Sequence, residues 1–395
     1  MIHLAGPGGA HRGVLMGAVI SLPHFTRATN SFSHISSGIS FQKENAGMKK
    51  KIGILTGGGD CPGLNAVIRA VFRRAEQYGY QVIGIKDGWK GLLEMKSDPL
   101  TRNMVSGIHL FGGTILGTSR TNPFKKENGA EICAENMKKM GLYALVAVGG
   151  DDTLGVCNKL SKMGLNTVGV PKTIDNDLSC TDVTFGYDTA VSIATECIDR
   201  LHTTAESHHR TLVVEIMGRH AGWITCAAGI AGGADVILVP EEPFNIVEVC
   251  DILKKRFERG KTFNIVAVSE GAKFSDAPGV EGSMVLQTAE KDAFGNVRLG
   301  GIANILAKEI EHRTGFETRA VILGHLQRGG TPTAFDRVLA TRLGVKAVDL
   351  VHDGNFDKMV AVQGTKIVPV PLADAVGKTK TLDMEMYETA KIFFG

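Results

Sequence analysis

The stretch YALVAVGGDDTLG, residues 143–155, decides the fold. Its apolar run ALVAV has the length of a buried strand, stops at two glycines, and passes straight into a helical pattern over 153–163. Strand, tight turn and helix in that order form the repeating unit of an α/β protein. Paired glycines at such a junction let the backbone close around phosphate. The two carboxylates that follow, Asp151 and Asp152, repel phosphate, so their presence demands a reason.

The same rhythm extends in both directions. IGIL (52–55) runs into TGGGD, and LNAVIRAVFRRAEQY then places Leu64, Val67, Ile68, Val71, Phe72 and Ala75 on one helical face with Arg69, Arg73 and Arg74 opposite. VIGI follows at 82–85. After ALVAV come TVGV with a helix over 188–207, TLVVEI with 221–230, and DVILV with 245–258. FNIVAV with 302–313 and RAVILG with a helix near 333–351 complete the series. Strands alternating with helices mean βαβ units and a mainly parallel sheet covered on both faces. Ligands in such sheets bind at the carboxyl ends of strands, and each glycine-rich motif falls at such an end.

Composition narrows the function classes. The chain has 395 residues, 43% hydrophobic and 22% charged, as in ordinary globular proteins, and its length suits two or three domain-sized units. A net charge of +3 is too small to argue for nucleic acid or a membrane surface. The seven cysteines are odd in number without CxxC spacing, which reads as reduced thiols of a cytoplasmic protein. No apolar run approaches the ~18 residues of a membrane span. Residues 1–47 stand apart: they hold Ser, His and Gly, one apolar run (GVLMGAVISL) and a single acid, Glu44, before Met48 opens MKKKIGILTGGGD. An over-long start or unstructured leader is the preferred reading. An organelle presequence fits the serines and the scarcity of acids but not the sparse arginine, and a secretory signal sits badly with unpaired cysteines.

Six motifs carry chemistry, each with a bland reading beside it. TGGGDCPGLN (56–65) offers backbone N–H groups and a helix start to an anion, or is a plain βα turn; it matches neither GxxxxGK[ST] nor GxGxxG. GGTILGTSRTNP (112–123) supplies Arg120, a phosphate clamp or a surface arginine. GVPKTIDND (169–177) is the sharpest, with Lys172, Thr173, Asp175 and Asp177 within six residues. A hydroxyl and two carboxylates can take and orient a substrate proton while lysine faces phosphate, which is the equipment for phosphoryl transfer to an alcohol. Its bland reading is an Asx turn capping the next helix. VVEIMGRHAGW (213–223) carries Arg219, SEGAKF (269–274) carries Glu270, and LGHLQRGGTP (323–332) carries His325 and Arg328. Carboxylates for hydroxyls and arginine for phosphate suit a phosphorylated sugar, although a lone histidine near glycines is more often structural. Neither zinc-ligand spacing nor GxSxG occurs.

In this order, TGGGDCPGLNAVIR, GGTILGTSR, VGGDDTLG, PKTIDND, VVEIMGRHAG, SEGAKF and ETRAVILGHLQRGGTP resemble the phosphofructokinase family, over roughly residues 48 to 345. The resemblance implies two similar Rossmann-like three-layer domains with the active site in their cleft: 48–186 plus about 328–377 for the phosphoryl donor, and 187–327 plus about 378–395 for fructose 6-phosphate. It implies Gly58 against the donor, Arg120 bridging the transferring phosphoryl, and Asp151 on Mg²⁺. Asp175 becomes the base for the sugar's 1-hydroxyl, with Thr173 and Asp177 orienting the reaction. Met217, Gly218, Arg219, Glu270, His325 and Arg328 bind the sugar phosphate, and Arg210 and Arg319 reach it from a neighbouring subunit of a homo-oligomer, dimer or tetramer.

The family divides by donor at the opening stretch. ATP users resemble GGDG or GGEG, with glycine where this chain has Asp152; pyrophosphate users resemble GGDD or GGED. An aspartate fills the space of the α-phosphate and repels it by about 4 kcal/mol for unit charges ~4 Å apart at an effective dielectric near 20, or nearly three powers of ten. Lys172 adds compensating charge, although some ATP users carry it too. The expected activity is therefore reversible pyrophosphate-dependent phosphorylation of fructose 6-phosphate. The alternatives are an ATP-dependent 6-phosphofructokinase; a lipid or NAD kinase, which PKTIDND and LGHLQRGG disfavour; and a silent regulatory subunit, which has no chemical need of Asp151, Asp175 and Arg219. If Asp152 excludes the nucleotide, Asp152→Gly raises kcat/KM for ATP by roughly two to three powers of ten. Aldolase-coupled turnover measures this, and an unchanged ATP rate overturns it.

Overall fold

The computed structural model describes residues 49–275, 286–288, 294, 295 and 298–395. The leader expected over 1–47, with its targeting readings, lies outside them. The remainder, Met48–Gly395, is one compact unit.

The strands are β1 (Lys51–Thr56), β2 (Gln81–Ile85), β3 (Ser97–Pro99), β4 (Leu142–Gly149), β5 (Thr167–Pro171), β6 (Thr211–Ile216), β7 (Val236–Leu238), β8 (Asn264–Ser269), β9 (Leu286–Thr288), β10 (Arg298–Leu299), β11 (Thr318–Ile322), β12 (Lys358–Gln363) and β13 (Lys366–Pro371). The helices are α1 (Leu64–Gln77), α2 (Trp89–Leu93), α3 (Gly129–Lys139), α4 (Asp151–Lys162), α5 (Tyr187–His208), α6 (Trp223–Ala231), α7 (Ile246–Glu258), α8 (Ile302–Thr314), α9 (Ala334–His352), α10 (Leu372–Ala375) and α11 (Met384–Lys391).

Seven strands form one sheet in the order β13-β12-β5-β4-β1-β2-β3. Its inner pairings are parallel, and only β3 and β13, at the two edges, run antiparallel to their neighbours. A second sheet, β11-β6-β8-β7, is parallel throughout. The short pair β9 and β10 is antiparallel. Both main sheets are α/β, as the alternation predicts, but their strand orders differ.

Buried on both faces, each strand sends alternate residues into two cores. In β4, Ala144, Val146 and Val148 join one core with Val67, Val71 and Leu343 of α1 and α9. Leu145 and Ala147 join the other, with Cys133, Met137, Leu154 and Leu160 of α3 and α4. The first core continues without a break into the second sheet through Ala190, Ile198, Ile216 and Ile224, while α7 and α8 cover that sheet's other face.

Two local features set where the loops go. Thr153, buried in the first turn of α4, is wedged between two glycine turns: a Cβ on Gly57 would meet its Oγ1 at 2.6 Å, and one on Gly149 its Cβ at 2.3 Å. Glycine at both positions lets the turns after β1 and β4 close on each other. The second feature is Asp336, fully buried at the start of α9, whose Oδ2 accepts Thr189 N (2.8 Å) and Oγ1 (2.5 Å) at the start of α5. Thr333, the N-cap of α9, adds Oγ1 to Asp188 Oδ2 (2.6 Å). Asp336→Ala strands a buried N–H and is expected to destabilise the fold by about 2–4 kcal/mol, read as a lower midpoint in urea unfolding with an unchanged m-value.

Candidate active site

The loop after β5 forms because the chain leaves the sheet at Lys172, whose N–H donates to Gly149 O (2.9 Å) and continues the strand pairing by one residue. Thr173 Oγ1 accepts Asp175 N (3.0 Å), and Asn176 takes a left-handed φ of 53°. The turn sets Asp175 and Asp177 on either side of Asn176. Thr173 and Asp175 are buried, and Asp175 Oδ1 has no hydrogen-bond partner among the described residues.

The Lys172 ammonium is also buried and hydrogen-bonds Gly59 O, so it joins this loop to the glycine turn after β1. Burial pushes its pKa down. Its Nζ lies 3.6 Å from the space a Cβ on Gly58 would occupy. Arg328 lies across the same turn: its Nη1 donates to Asp60 O (3.4 Å) and sits 2.8 Å from a Cβ built on Gly59. The sequence reading assigns Arg328 to the sugar phosphate, whereas here its guanidinium rests on the glycine turn. Arg120 is exposed beside that turn, because its neighbours fasten it: Gly58 N donates to Ser119 O (3.2 Å) and Thr118 Oγ1 to Gly58 O (2.6 Å).

The second sheet faces these loops with the ends of β6 and β8. Glu270 follows β8, is buried, and accepts Gly218 N (3.4 Å) and Arg219 N (3.1 Å) on Oε1. Arg219 itself has φ 51°. Met217 N donates to Oε1 of Gln327 (3.3 Å), a fully buried side chain in the turn Gly324–Arg328. His325 is exposed on that turn.

Electrostatically the two halves meet. Burial raises the Glu270 carboxyl to about 7, Asp175 pushes the same way, and the Arg219 and Gly218 N–H groups oppose it. Asp177, partly buried, is raised to about 7 by burial and by Asp175, against the pull of Arg219. Asp175, Asp177, Glu270, Arg219, Arg328 and Lys172 thus share one cleft.

Asp151 and Asp152 occupy the first turn of α4, where two acids are favoured by the helix dipole by about 0.3–1 kcal/mol each. Asp151 is exposed and accepts Gly377 N (2.7 Å) on Oδ1; Asp152 is half-buried beside it. Among the described residues no three acids, histidines or cysteines cluster as a metal cage. A single exposed carboxylate beside a phosphate-type glycine turn nevertheless fits Mg²⁺, which keeps waters and uses one or two carboxylates with substrate phosphates.

Arg210 and Arg319 do not join the cleft. Both grip Glu317 Oε1 at 2.7 Å, at the entry ends of β6 and β11. Six residues of β6 at ~3.3 Å each put about 20 Å between Arg210 and Arg219. Asn176, Thr153 and Gln327 were not singled out from sequence although each lies inside a quoted motif. Lys380, bonded to the Asn176 side chain, lies in no motif and 204 positions away, so nothing local marked it.

The family model for phosphofructokinase matches residues 51–351, and the chain belongs to that family. A pyrophosphate–fructose 6-phosphate 1-phosphotransferase from Amycolatopsis methanolica is 58% identical over 346 residues, covering 87% of this chain and 100% of that one. An ATP-dependent 6-phosphofructokinase 3 from Streptomyces coelicolor is 53% identical over 342 residues, 86% of this chain and 99% of that one. Among solved structures, a pyrophosphate-dependent phosphofructokinase from Nitrosospira multiformis shares the fold with a TM-score of 0.74 at 22% identity, covering 85% of this chain and 86% of that one.

The raised Glu270 pKa has a consequence for stability. Between its ordinary 4.5 and about 7 the folded chain holds a proton that the unfolded chain has lost, so this group's contribution falls as pH rises through that window. Glu270→Gln keeps an acceptor for Arg219 and Gly218 without the charge. Its Tm is expected above wild type at pH 8 and equal to it at pH 4 by scanning calorimetry.

Proposed function

We propose that the chain transfers a phosphoryl group reversibly from inorganic pyrophosphate to the 1-hydroxyl of fructose 6-phosphate, giving fructose 1,6-bisphosphate and phosphate. The observation that carries this reading is the buried Asp175 carboxylate, whose Oδ1 lacks a hydrogen-bond partner among the described residues while the Lys172 ammonium lies within electrostatic reach. A base so placed accepts the hydroxyl proton as the sugar oxygen bonds to phosphorus. The bridging P–O bond of pyrophosphate breaks and its electron pair leaves with phosphate. Thr173 and Asp177 hold the hydroxyl and Asp175 in line, and Arg120 and Lys172 face the moving charge from the glycine turn. Mg²⁺ held by Asp151 supplies charge neutralisation on the phosphates when bound.

Met217, Gly218, Arg219, Glu270 and His325 receive the sugar phosphate, with Arg328 spanning to the donor turn. The donor side belongs to 48–186 plus about 328–377 and the sugar side to 187–327 plus about 378–395. Arg210 and Arg319, too far from their own cleft, serve that of a second copy, so the working unit is a homo-oligomer of the cytoplasm. Asp152 selects the donor: the relatives carry both donor names, and the charge argument favours pyrophosphate.

Turnover of the purified chain with pyrophosphate and with ATP, measured in parallel, tests the reading; turnover with ATP alone overturns it. Asp175→Asn is expected to lower kcat by about 10³-fold with KM for fructose 6-phosphate little changed.

A further inference from the structure

The C-terminal segment crosses the back of the loop that carries Asp175. Thr379 bridges Leu178 in antiparallel fashion, Ser179 Oγ donates to Lys378 O (2.9 Å), Cys180 Sγ to Asp374 O (3.4 Å), and Lys380 N to Asp177 O (2.8 Å). The Lys380 ammonium then spends its three N–H groups on Asn176 Oδ1 (3.0 Å), Thr181 O (2.9 Å) and Asp182 O (2.9 Å). Its own carbonyl accepts Trp223 Nε1 (3.1 Å) at the start of α6. One residue therefore ties the loop after β5 to the C-terminal segment and to the second sheet's helices.

Asn176 is the residue this arrangement acts on. It sits between Asp175 and Asp177 with φ 53°, a left-handed conformation that asparagine adopts more readily than most residues with a side chain. Its Oδ1 takes two donors, Lys380 Nζ and Thr184 N (3.1 Å). Burial lowers the Lys380 pKa to about 8 even though Asp182 and Asp177 pull the other way. Holding a cation there works against desolvation. A chain needing only to fasten its C-terminus could do so with backbone and neutral groups, as Ser179 and Leu178 already do.

We propose that Lys380 is a positioning residue for phosphoryl transfer: its ammonium, through the Asn176 side chain, fixes the turn on which Asp175 is carried. The inference rests on the reading of Asp175 as base. A side chain that only staples the C-terminus would, on removal, lower stability and leave kcat per folded molecule unchanged. A positioning residue lowers kcat and spares KM, since the reacting geometry and not the binding of either substrate is lost.

The test is Lys380→Met in the full chain, with kcat and KM measured for both substrates under whichever donor the wild type uses. Lys380→Met is expected to lower kcat about 30-fold with each KM within about threefold; kcat within threefold of wild type overturns the proposal. Asn176→Ala, which removes the acceptor shared by Lys380 Nζ and Thr184 N, is expected to show the same split. The double variant is then expected to lose less than the product of the two single losses, because the variants share the bond from Lys380 Nζ to Asn176 Oδ1; fully multiplicative losses overturn the route through Asn176. Should Lys380→Met fail to fold, Asn176→Ala decides: unchanged kcat is again the negative result. Wild type active only with ATP ends the pyrophosphate reading and leaves Lys380 to be scored with ATP, whereas activity with neither donor ends both.

Discussion

Three carboxyl groups, Asp175, Asp177 and Glu270, share one largely water-excluded cleft, and the rest of the site is arranged around that constraint. Left alone, such a cluster takes up protons, and two of its members are pushed toward neutrality at pH 7. The backbone N–H groups of Gly218 and Arg219 and the Arg219 charge oppose that pressure on Glu270 and Asp177. The buried ammonium of Lys172 and the guanidinium of Arg328 bring positive charge to the glycine turn after β1, where they hydrogen-bond Gly59 O and Asp60 O. Each of these groups sits at the carboxyl end of a strand or in the loop after it. The parallel sheets are what allow so many such ends to converge.

Much of this was visible in the chain itself, because strand–helix alternation and glycine junctions are local signals. The helix expected over 188–207 is observed at Tyr187–His208, and that over 302–313 at Ile302–Thr314. The helix expected from 153 begins at Asp151, since the two acids favour its first turn and belong to it. What escaped is non-local. The antiparallel edges β3 and β13 depend on what lies beside them, and β12 and β13 fall beyond the motifs. The placement of Arg328 on the Gly59 turn joins residues far apart in sequence, which no spacing rule reports.

The Asp336–Thr189 contact has the same character. It joins the first turns of α5 and α9, the helices through which the chain enters and leaves the segment that builds the smaller sheet. A buried carboxylate accepting two hydrogen bonds from one residue fixes those two helix starts against each other. The loops that follow β5 and β11 end at those starts, so their separation is set before any substrate arrives. Thr153 does the same on a smaller scale, holding the turns after β1 and β4 at contact distance.

The edges of the seven-stranded sheet bear on how copies of this chain can meet. On one side the last strand, KIVPVP, carries Pro369 and Pro371. Proline is tolerated in an edge strand where its missing N–H would face outward, which leaves Ile367 as the remaining donor on that side of the strand. On the other side β3 is three residues long and ends in Pro99. An incoming strand therefore finds too few donors at either border to lengthen the sheet. Lengthening of this sheet strand by strand, the open-ended addition that leads to fibres, is therefore disfavoured at both of its borders.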